Sequence, residues 1–285
     1  MRLAVLGSPI EHSLSPTLQS TAYRLLGLDH EYGRREVASG ELPDLLNSLD
    51  DSWLGLSLTM PLKREVVAML NSASPLVRQL GVANTVVFSG TGAGRTMAGH
   101  NTDVDGITRA ISEAHEGRHE RVAILGGGAT AVSALTAAHE LGARSVSAFL
   151  RDPSKAQELE AVASALDIAF AVDSLSSAPA SGPHDFVIST LPGGVPLPEM
   201  TPSSPDAVLL DVAYDPWPSP LASAWRASGA TAVSGLDMLV EQAIGQIRLF
   251  TGRAQDEPLD GETGIRQAMR ESVGLAPSAA GSLDL

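Results

Sequence analysis

Short apolar runs alternate with helix-like segments along most of the chain. Strands are predicted at 3–6, 31–37, 54–58, 85–88, 122–125, 146–150, 186–189, 208–211 and 232–233. Helices are predicted at 16–26, 41–49, 103–115, 132–141, 236–250 and 261–273, with one more beginning at Pro61. Regular alternation of this kind is typical of α/β proteins, in which helices cover a largely parallel sheet.

A glycine-rich turn links the predicted strand 122–125 to the helix that follows it. The turn reads Gly126-Gly127-Gly128-Ala129-Thr130-Ala131. In a strand–turn–helix context, a Gly-x-Gly-x-x-Ala pattern predicts a dinucleotide site. Gly126 permits the tight turn, Gly128 lets the backbone approach a pyrophosphate, and Ala131 lets the helix lie close to its strand. The first amides of the helix and its dipole favour the phosphates.

Size and charge narrow the class of protein. A chain of 285 residues is long enough for two lobes, and its net charge of −14 argues against nucleic acid or an anionic membrane as a partner. Without cysteine there is no disulfide, thiolate nucleophile or cysteine metal site, and the seven histidines show no metal-ligand spacing. No apolar run reaches the roughly 18 residues of a membrane helix, so we expect a cytoplasmic protein.

The second Rossmann strand should end near Arg151, where the side chains distinguish the two nicotinamide dinucleotides. An arginine favours the 2′-phosphate of NADP, and an acid favours the ribose hydroxyls of NAD. Arg151, Ser154 and Lys155 can flank a phosphate, whereas Asp152 argues for NAD or simply caps the helix after Pro153. We interpret Arg151 as functional and Asp152 as a cap.

Lys63 and Asp103 are the candidates for proton transfer. Lys63 falls in the first turn of a helix, where the helix dipole disfavours a cation. Its Thr-x-Pro-x-Lys setting therefore favours a catalytic role over a solvated surface lysine. Asp103 also opens a helix, but a carboxylate is structurally favourable there, so position alone leaves both interpretations open.

Other polar residues have ordinary structural explanations as well. Ser15 fits a helix N-cap before Pro16, although Ser13, Ser15 and the helix amides together also suit a carboxylate. Asn84 precedes a strand and fits a turn amide. Gln242 lies four residues after Met238, so the two share one face of their helix.

Six motifs in order resemble the shikimate dehydrogenase family over about residues 5–250. They are His12-Ser13-Leu14-Ser15-Pro16, Leu58-Thr59-Met60-Pro61-Leu62-Lys63, Ala83-Asn84-Thr85, Gly99-His100-Asn101-Thr102-Asp103-Val104-Asp105-Gly106, Asp211-Val212-Ala213-Tyr214-Asp215-Pro216 and Gly235-Leu236-Asp237-Met238-Leu239-Val240-Glu241-Gln242-Ala243. Each motif is weak alone, but six in the right order are specific.

The resemblance implies a role for each matching residue. Lys63 and Asp103 form the catalytic pair, and Ser13, Ser15 and Tyr214 hold the substrate carboxylate. The ring hydroxyls are held by Thr59, Asn84, Asp103 and Gln242. The cofactor contacts are Gly126, Gly127, Gly128, Ala129, Thr130, Ala131, Arg151, Ser154, Lys155, Thr190, Ala213 and Gly235, and no metal is involved.

The implied protein is a two-lobed α/β enzyme. Residues 1–102 with 235–285 form the substrate lobe, residues 103–234 form a Rossmann-like nucleotide lobe, and the C-terminal helices return to the first lobe. The expected reaction is reversible NADPH-dependent reduction of 3-dehydroshikimate to shikimate in aromatic biosynthesis, by a monomer or homodimer.

Two departures from the family pattern keep alternatives open. Ser57 stands where the family often has asparagine, which predicts a shorter or water-mediated substrate contact. Leu150-Arg151-Asp152 replaces the common Asn-Arg-Thr, so a quinate/shikimate dehydrogenase using NAD is the alternative. A non-catalytic NADP-binding sensor ranks lower because Lys63 and Asp103 are both present, and a folate dehydrogenase of similar plan does not explain Ser13 and Ser15.

Overall fold

The structure, a computed structural model, describes residues 1–115, 117, 120–180, 184–197 and 200–277. The chain divides into two compact units. The first combines Met1–Thr102 with the segment that begins at Leu239, and the second comprises Asp103–Met238. The second boundary falls inside the helix that begins at Gly235. None of the helices among the described residues is long and apolar enough to span a bilayer.

Each strand and helix predicted from the apolar pattern has a counterpart in the structure. Up to Thr102 they are β1 (Arg2–Gly7), α1 (Ser15–Leu25), β2 (Glu31–Glu36), α2 (Leu42–Ser48), β3 (Trp53–Leu58), α3 (Leu62–Glu65), β4 (Ser72–Ala73), α4 (Pro75–Leu80), β5 (Thr85–Ser89) and β6 (Thr96–His100). Thereafter they are α5 (Asp103–Ala114), β7 (Arg121–Leu125), α6 (Ala129–Glu140), β8 (Ser145–Leu150), α7 (Gln157–Ala165), β9 (Ala169–Ser174), β10 (Phe186–Ser189), β11 (Val208–Asp211), α8 (Pro220–Ala227), β12 (Thr231–Ser234), α9 (Gly235–Phe250) and α10 (Glu262–Ser272).

The first unit contains a mixed sheet with the order β2-β1-β3-β5-β6-β4. β1 pairs in parallel with β2 and β3, whereas β5 runs antiparallel to both β3 and β6. Residues 90–94 lie in the turn that connects β5 to β6 in an antiparallel hairpin. β4 and β6 were not predicted from the sequence, because β4 has two residues and β6 reads Thr-Met-Ala-Gly-His without an apolar run.

The second unit contains a sheet in which every pairing is parallel, with the order β12-β11-β10-β7-β8-β9. Counted from β9 in chain order, this is the 3-2-1-4-5-6 arrangement of a dinucleotide-binding Rossmann fold. The strand order reverses between β7 and β10, so the carboxyl ends of these strands mark the binding crevice. β9, also unpredicted, is an edge strand with alternating exposed positions.

The α9 helix packs on the first sheet at a glycine. A Cβ added at Gly55 in β3 would lie 2.4 Å from Cε1 of Phe250 and 2.6 Å from the carbonyl oxygen of Val86. The absent side chain thus lets the Phe250 ring rest on the strand. Only glycine permits this close approach of α9 to the sheet.

Buried ion pairs join α10 to α9. Arg248, which is 3% exposed, donates from Nε and Nη2 to the two oxygens of Glu262 at 2.8 and 2.6 Å. Arg266 donates to Glu241 at 2.8 Å and to Glu262 at 3.0 Å. Burial raises the pKa of Glu262, but the hydrogen bond and charge of Arg248, aided by Arg266, outweigh it and leave this pKa below its ordinary value. The carboxylate therefore stays ionised and holds the two helices together.

Candidate active site

The glycine-rich turn of the second unit has the geometry that a dinucleotide needs. Gly126 follows β7 with φ of +109°, and a Cβ there would lie 2.5 Å from Oγ1 of Thr190. Gly128 precedes α6, and a Cβ there would meet nothing within 4 Å, so open space lies beside the turn. The α6 N-terminus and this space fit a pyrophosphate.

The loop after β8 carries both charges that the sequence analysis singled out. Asp152 is a cap, as predicted, because its Oδ1 accepts from the Ser154 amide at 3.2 Å and the Ser154 hydroxyl at 2.6 Å. Its Oδ2 lies 3.6 Å from Nζ of Lys155. Arg151 is exposed at the strand end. The Asp152 carboxylate thus engages two of the three groups that were predicted to flank a phosphate.

Asp211 orders the chain after β11, where Ala213 and Tyr214 follow. It is 3% exposed, and its carboxylate accepts from the Ser219 hydroxyl at 2.6 Å and from the Ala213 amide at 3.3 Å. Burial raises its pKa, and these hydrogen bonds counteract part of that effect. A cavity of about 630 Å³ opens beside this segment, with Ser189 and Ala213 in its lining.

Gly235 lies against the same segment. A Cβ at this position would come 2.1 Å from the carbonyl oxygen of Val212. Since that atom is backbone, no side-chain movement can relieve the clash, and the position requires glycine. Gly235 and Ala213 are thereby held at the ends of neighbouring strands, where the sequence analysis places the cofactor.

Lys63 is buried in the first unit at the start of α3. It is 8% exposed, and its carbonyl oxygen accepts from the Ala83 amide at 2.8 Å. This bond ties the lysine segment to the residue preceding Asn84. The Thr59 amide in turn donates to the carbonyl oxygen of Leu6 at 2.9 Å, which fixes the Thr59–Lys63 segment to the end of β1.

Asn84 connects three segments of the first unit. Its Oδ1 accepts from the Thr102 amide at 2.9 Å, and its Nδ2 donates to Oγ1 of Thr102 at 2.9 Å and to Oε1 of Gln242 at 3.0 Å. Asn84 is 1% exposed, whereas Gln242 is half-buried. The structure thus brings together two residues that the family resemblance assigns to the substrate hydroxyls.

The serine motif differs in one detail from the expected cap. Leu14, not Ser15, occupies the cap position of α1, and Ser15 is the first helical residue. The side chain that accepts a backbone amide is Ser13, from Ser15 at 3.4 Å. The N-cap prediction for Ser15 was therefore wrong, because the helix begins one residue earlier than Pro16.

Asp103 is the first residue of α5 in the second unit and is 1% exposed. It directly follows Thr102, the residue bonded to Asn84. Within the described ranges, no three histidine, aspartate or glutamate side chains are grouped so that they could hold a metal ion.

Comparison with known proteins identifies the family. A family model described as the shikimate dehydrogenase substrate binding domain matches residues 5–86. A shikimate dehydrogenase (NADP(+)) from Ignicoccus hospitalis is 34% identical over 257 residues, which cover 88% of this chain and 94% of that one. The chain belongs to the shikimate dehydrogenase family. The resemblance seen in the six motifs is thus confirmed.

Solved structures of the shikimate dehydrogenase family show the same fold. The crystal structure of the Mycobacterium tuberculosis enzyme has a TM-score of 0.77 and 33% identity, covering 95% of this chain and 98% of that one. The Thermus thermophilus enzyme, solved in complex with NADP(H) and shikimate, has a TM-score of 0.77 and 28% identity, covering 95% and 99%. The predicted α/β fold class is therefore confirmed.

Tyr32 and Gln246 are buried partners of the shikimate dehydrogenase motifs that were not predicted from the sequence. Ser57, expected to offer a shortened substrate contact, is 3% exposed and instead bonds Tyr32 at 2.7 Å and Gln246 at 2.9 Å. Gln246 lies one helical turn after Gln242, and this i,i+4 pair of amides is the signal that could have revealed it.

Proposed function

We propose that this protein is an NADP-dependent shikimate dehydrogenase that reversibly reduces 3-dehydroshikimate to shikimate in aromatic biosynthesis. The observation that carries the proposal is the buried Lys63, tied by its carbonyl to the Asn84 segment within the portion of the chain that matches the family's substrate-binding model. A buried ammonium at a helix start, where the dipole disfavours a cation, suits proton transfer.

Lys63 hydrogen-bonds the reacting oxygen, donates a proton to it during reduction and takes one back during oxidation. The positive charge of its ammonium also stabilises the alkoxide that develops on that oxygen. Asp103 orients the ammonium and an adjacent hydroxyl. Both side chains are buried, which strengthens each electrostatic interaction.

The remaining assignments follow the motifs. Ser13, Ser15 and Tyr214 hold the substrate carboxylate, while Thr59, Asn84, Asp103 and Gln242 hold its hydroxyls. The mutual bonding of Asn84 and Gln242 supports the second group, because two amides fixed to each other make a defined surface for a ring.

The second unit supplies the residues that would hold NADPH. They are Gly126, Gly127, Gly128, Ala129, Thr130, Ala131, Arg151, Ser154, Lys155, Thr190, Ala213 and Gly235. Bound NADPH supplies the hydride of the reaction. The open turn at Gly128 and the Rossmann strand order support this assignment. Location and assembly remain sequence predictions: a cytoplasmic monomer or homodimer.

Reduction of NADP⁺ in the presence of shikimate, followed by absorbance, tests the proposal. We expect turnover with shikimate and NADP⁺, and much less with quinate. Absence of turnover with shikimate and either cofactor would refute the proposed activity. The Asp152 contacts to Ser154 and Lys155 favour one second candidate, the quinate/shikimate dehydrogenase that uses NAD. Measuring the reduction of NAD⁺ with shikimate and with quinate tests this candidate in the same assay.

Replacing Arg151 by alanine should weaken the binding of NADP⁺ more than the binding of NAD⁺. Loss of one charge-assisted contact to the 2′-phosphate predicts a rise of about tenfold in KM for NADP⁺, with NAD⁺ little affected. Steady-state kinetics with both cofactors measures the difference. Arg144→Ala is a matched control, because Arg144 is an exposed arginine that precedes the same strand and pairs with Glu120. Equal rises in KM for both cofactors would show that Arg151 does not recognise the 2′-phosphate.

A further inference from the structure

A directional series of hydrogen bonds, here called the amide relay, runs through the core of the first unit. Tyr32 donates from its hydroxyl to Ser57 at 2.7 Å, and Ser57 donates to Oε1 of Gln246 at 2.9 Å. Nε2 of Gln246 donates to Oγ1 of Thr85 at 3.2 Å. Thr85 donates to Oδ1 of Asn84 at 2.8 Å. Every bond in the series points the same way.

The relay ends at Gln242, a residue assigned to the substrate. Nδ2 of Asn84 donates to Oε1 of Gln242 at 3.0 Å. Since its oxygen faces Asn84, the end of the Gln242 carboxamide that faces away is the nitrogen, which can only donate. The direction of the relay therefore sets which chemical group Gln242 offers to a ligand.

Two backbone groups fix this direction. The Thr102 amide can only donate, and it bonds Oδ1 of Asn84 at 2.9 Å, so Asn84 must turn its nitrogen toward Gln242. The carbonyl oxygen of Asn84 can only accept, and it accepts a hydrogen bond from Nε2 of Gln246 at 3.4 Å. Gln246 must then turn its oxygen toward Ser57 and toward Nε2 of Gln19, which donates at 3.2 Å.

Burial makes the relay costly to break. Gln19, Thr85 and Asn84 are at most 1% exposed, and Ser57 and Gln246 are each 3% exposed. If one of these side-chain amides were reversed, its NH₂ group would face another donor, and burial would keep water from satisfying either group. An unsatisfied buried donor costs more free energy than one hydrogen bond contributes. One orientation of each amide is thus strongly preferred.

We propose that Gln246 and Thr85 are positioning residues, which hold Asn84 and Gln242 so that Gln242 presents its amide nitrogen to an acceptor oxygen of the substrate. This inference rests on the proposed function of the site. An alcohol oxygen and a carbonyl oxygen both accept a hydrogen bond, so the same Gln242 orientation serves the hydroxylated acid and its keto form.

The test compares Thr85→Val, which removes the relay hydroxyl at nearly constant volume, with Thr85→Ser, which keeps it. For Thr85→Val we expect KM for shikimate to rise about tenfold, as the loss of the buried hydrogen bond that Thr85 donates to Asn84 allows. KM for NADP⁺ should not change, and Thr85→Ser should restore the shikimate KM. Thr136→Val, which removes a buried hydroxyl from α6 in the second unit, is the control and should leave both values unchanged.

A double-mutant cycle separates positioning from general damage. In an Asn84→Ala background, Thr85→Val should add no further rise in shikimate KM, because the relay reaches the substrate only through Asn84 and, beyond it, Gln242. The proposed positioning role would be refuted if Thr85→Val raised the shikimate KM tenfold in that background as well. It would also be refuted if Thr85→Val and Thr85→Ser had equal KM values for shikimate.

A measurement that needs no activity keeps the two proposals distinguishable. In NMR hydrogen exchange, the side-chain amide protons of Asn84 should exchange slowly in the wild type and in Thr85→Ser, but faster in Thr85→Val. Unchanged exchange overturns the relay, whether or not the wild type oxidises shikimate. Failure to oxidise shikimate, combined with the expected exchange pattern, would refute only the proposed function.

Discussion

Replacement of Lys63 by alanine is expected to lower kcat by about 10²–10⁴-fold, the range typical of a lost general acid. KM for shikimate should change little, because the contacts to the carboxylate and to the hydroxyls other than the reacting one belong to other residues. A loss in kcat with KM nearly constant indicates an interaction made mainly in the transition state. Steady-state kinetics with shikimate and NADP⁺ measures both constants.

Arg64→Ala is the matched control for the lysine variant. Arg64 is the next residue of α3 but is exposed, so its replacement removes the same charge from the same helix without opening a buried site. We expect its turnover to stay within about twofold of wild type, as for most surface substitutions. Near-normal turnover of Lys63→Ala would exclude Lys63 from proton transfer, and an equal loss in Arg64→Ala would indicate damage to α3.

Replacement of Arg248 by methionine is expected to lower the free energy of unfolding of the first unit by up to about 3–5 kcal/mol, the usual cost of removing one partner from a buried ion pair, while Arg266 stays bonded to Glu262. The side chains of Arg248 and Glu262 are 4% and 11% exposed, so water cannot replace the lost arginine at Glu262. Arg248 also donates to the carbonyl oxygen of Gln255 at 2.8 Å. Urea denaturation at neutral pH measures the change.

Arg253→Met offers a control close by in the chain. Arg253 pairs with Asp260 at 3.0 Å, but the Asp260 side chain is 93% exposed. Such surface pairs contribute about 0–1 kcal/mol, so this variant should unfold nearly like wild type. If Arg248→Met lowered the free energy of unfolding as little as Arg253→Met, the buried ion pairs between α9 and α10 would not determine the stability of the unit.

Apart from the N-cap expected at Ser15, the residues discussed whose surroundings are local in sequence were well predicted. Gly126 and Gly128 sit between a strand and a helix, and the chain context alone identified their turn. Asp152 was correctly interpreted as a cap, because its partner Ser154 is two residues away. The short strands β4 and β6 were missed, since they depend on pairing partners rather than on an apolar pattern of their own.

The parts of the candidate site that depend on distant partners could not be predicted. Ser57 was expected at the substrate, but its hydroxyl bonds Tyr32 and Gln246, and the second of these lies 189 residues further along the chain. No local sequence pattern indicates a hydrogen bond between residues so far apart in the chain. The roles of Lys63 and Asp103 came from motif resemblance, and they remain predictions that kinetics must test.

The first unit is discontinuous in sequence, and this has a consequence for its biogenesis. Gln19 and Gln246 bond to each other across 227 residues, whereas Asp103–Met238 is one uninterrupted stretch. During synthesis on the ribosome the inserted unit emerges whole and can fold first. The face of the first sheet on which α9 packs stays uncovered until α9 has been synthesised. Nascent chains stalled before Leu239 should therefore expose an unfinished, protease-sensitive N-terminal half beside a completed nucleotide unit.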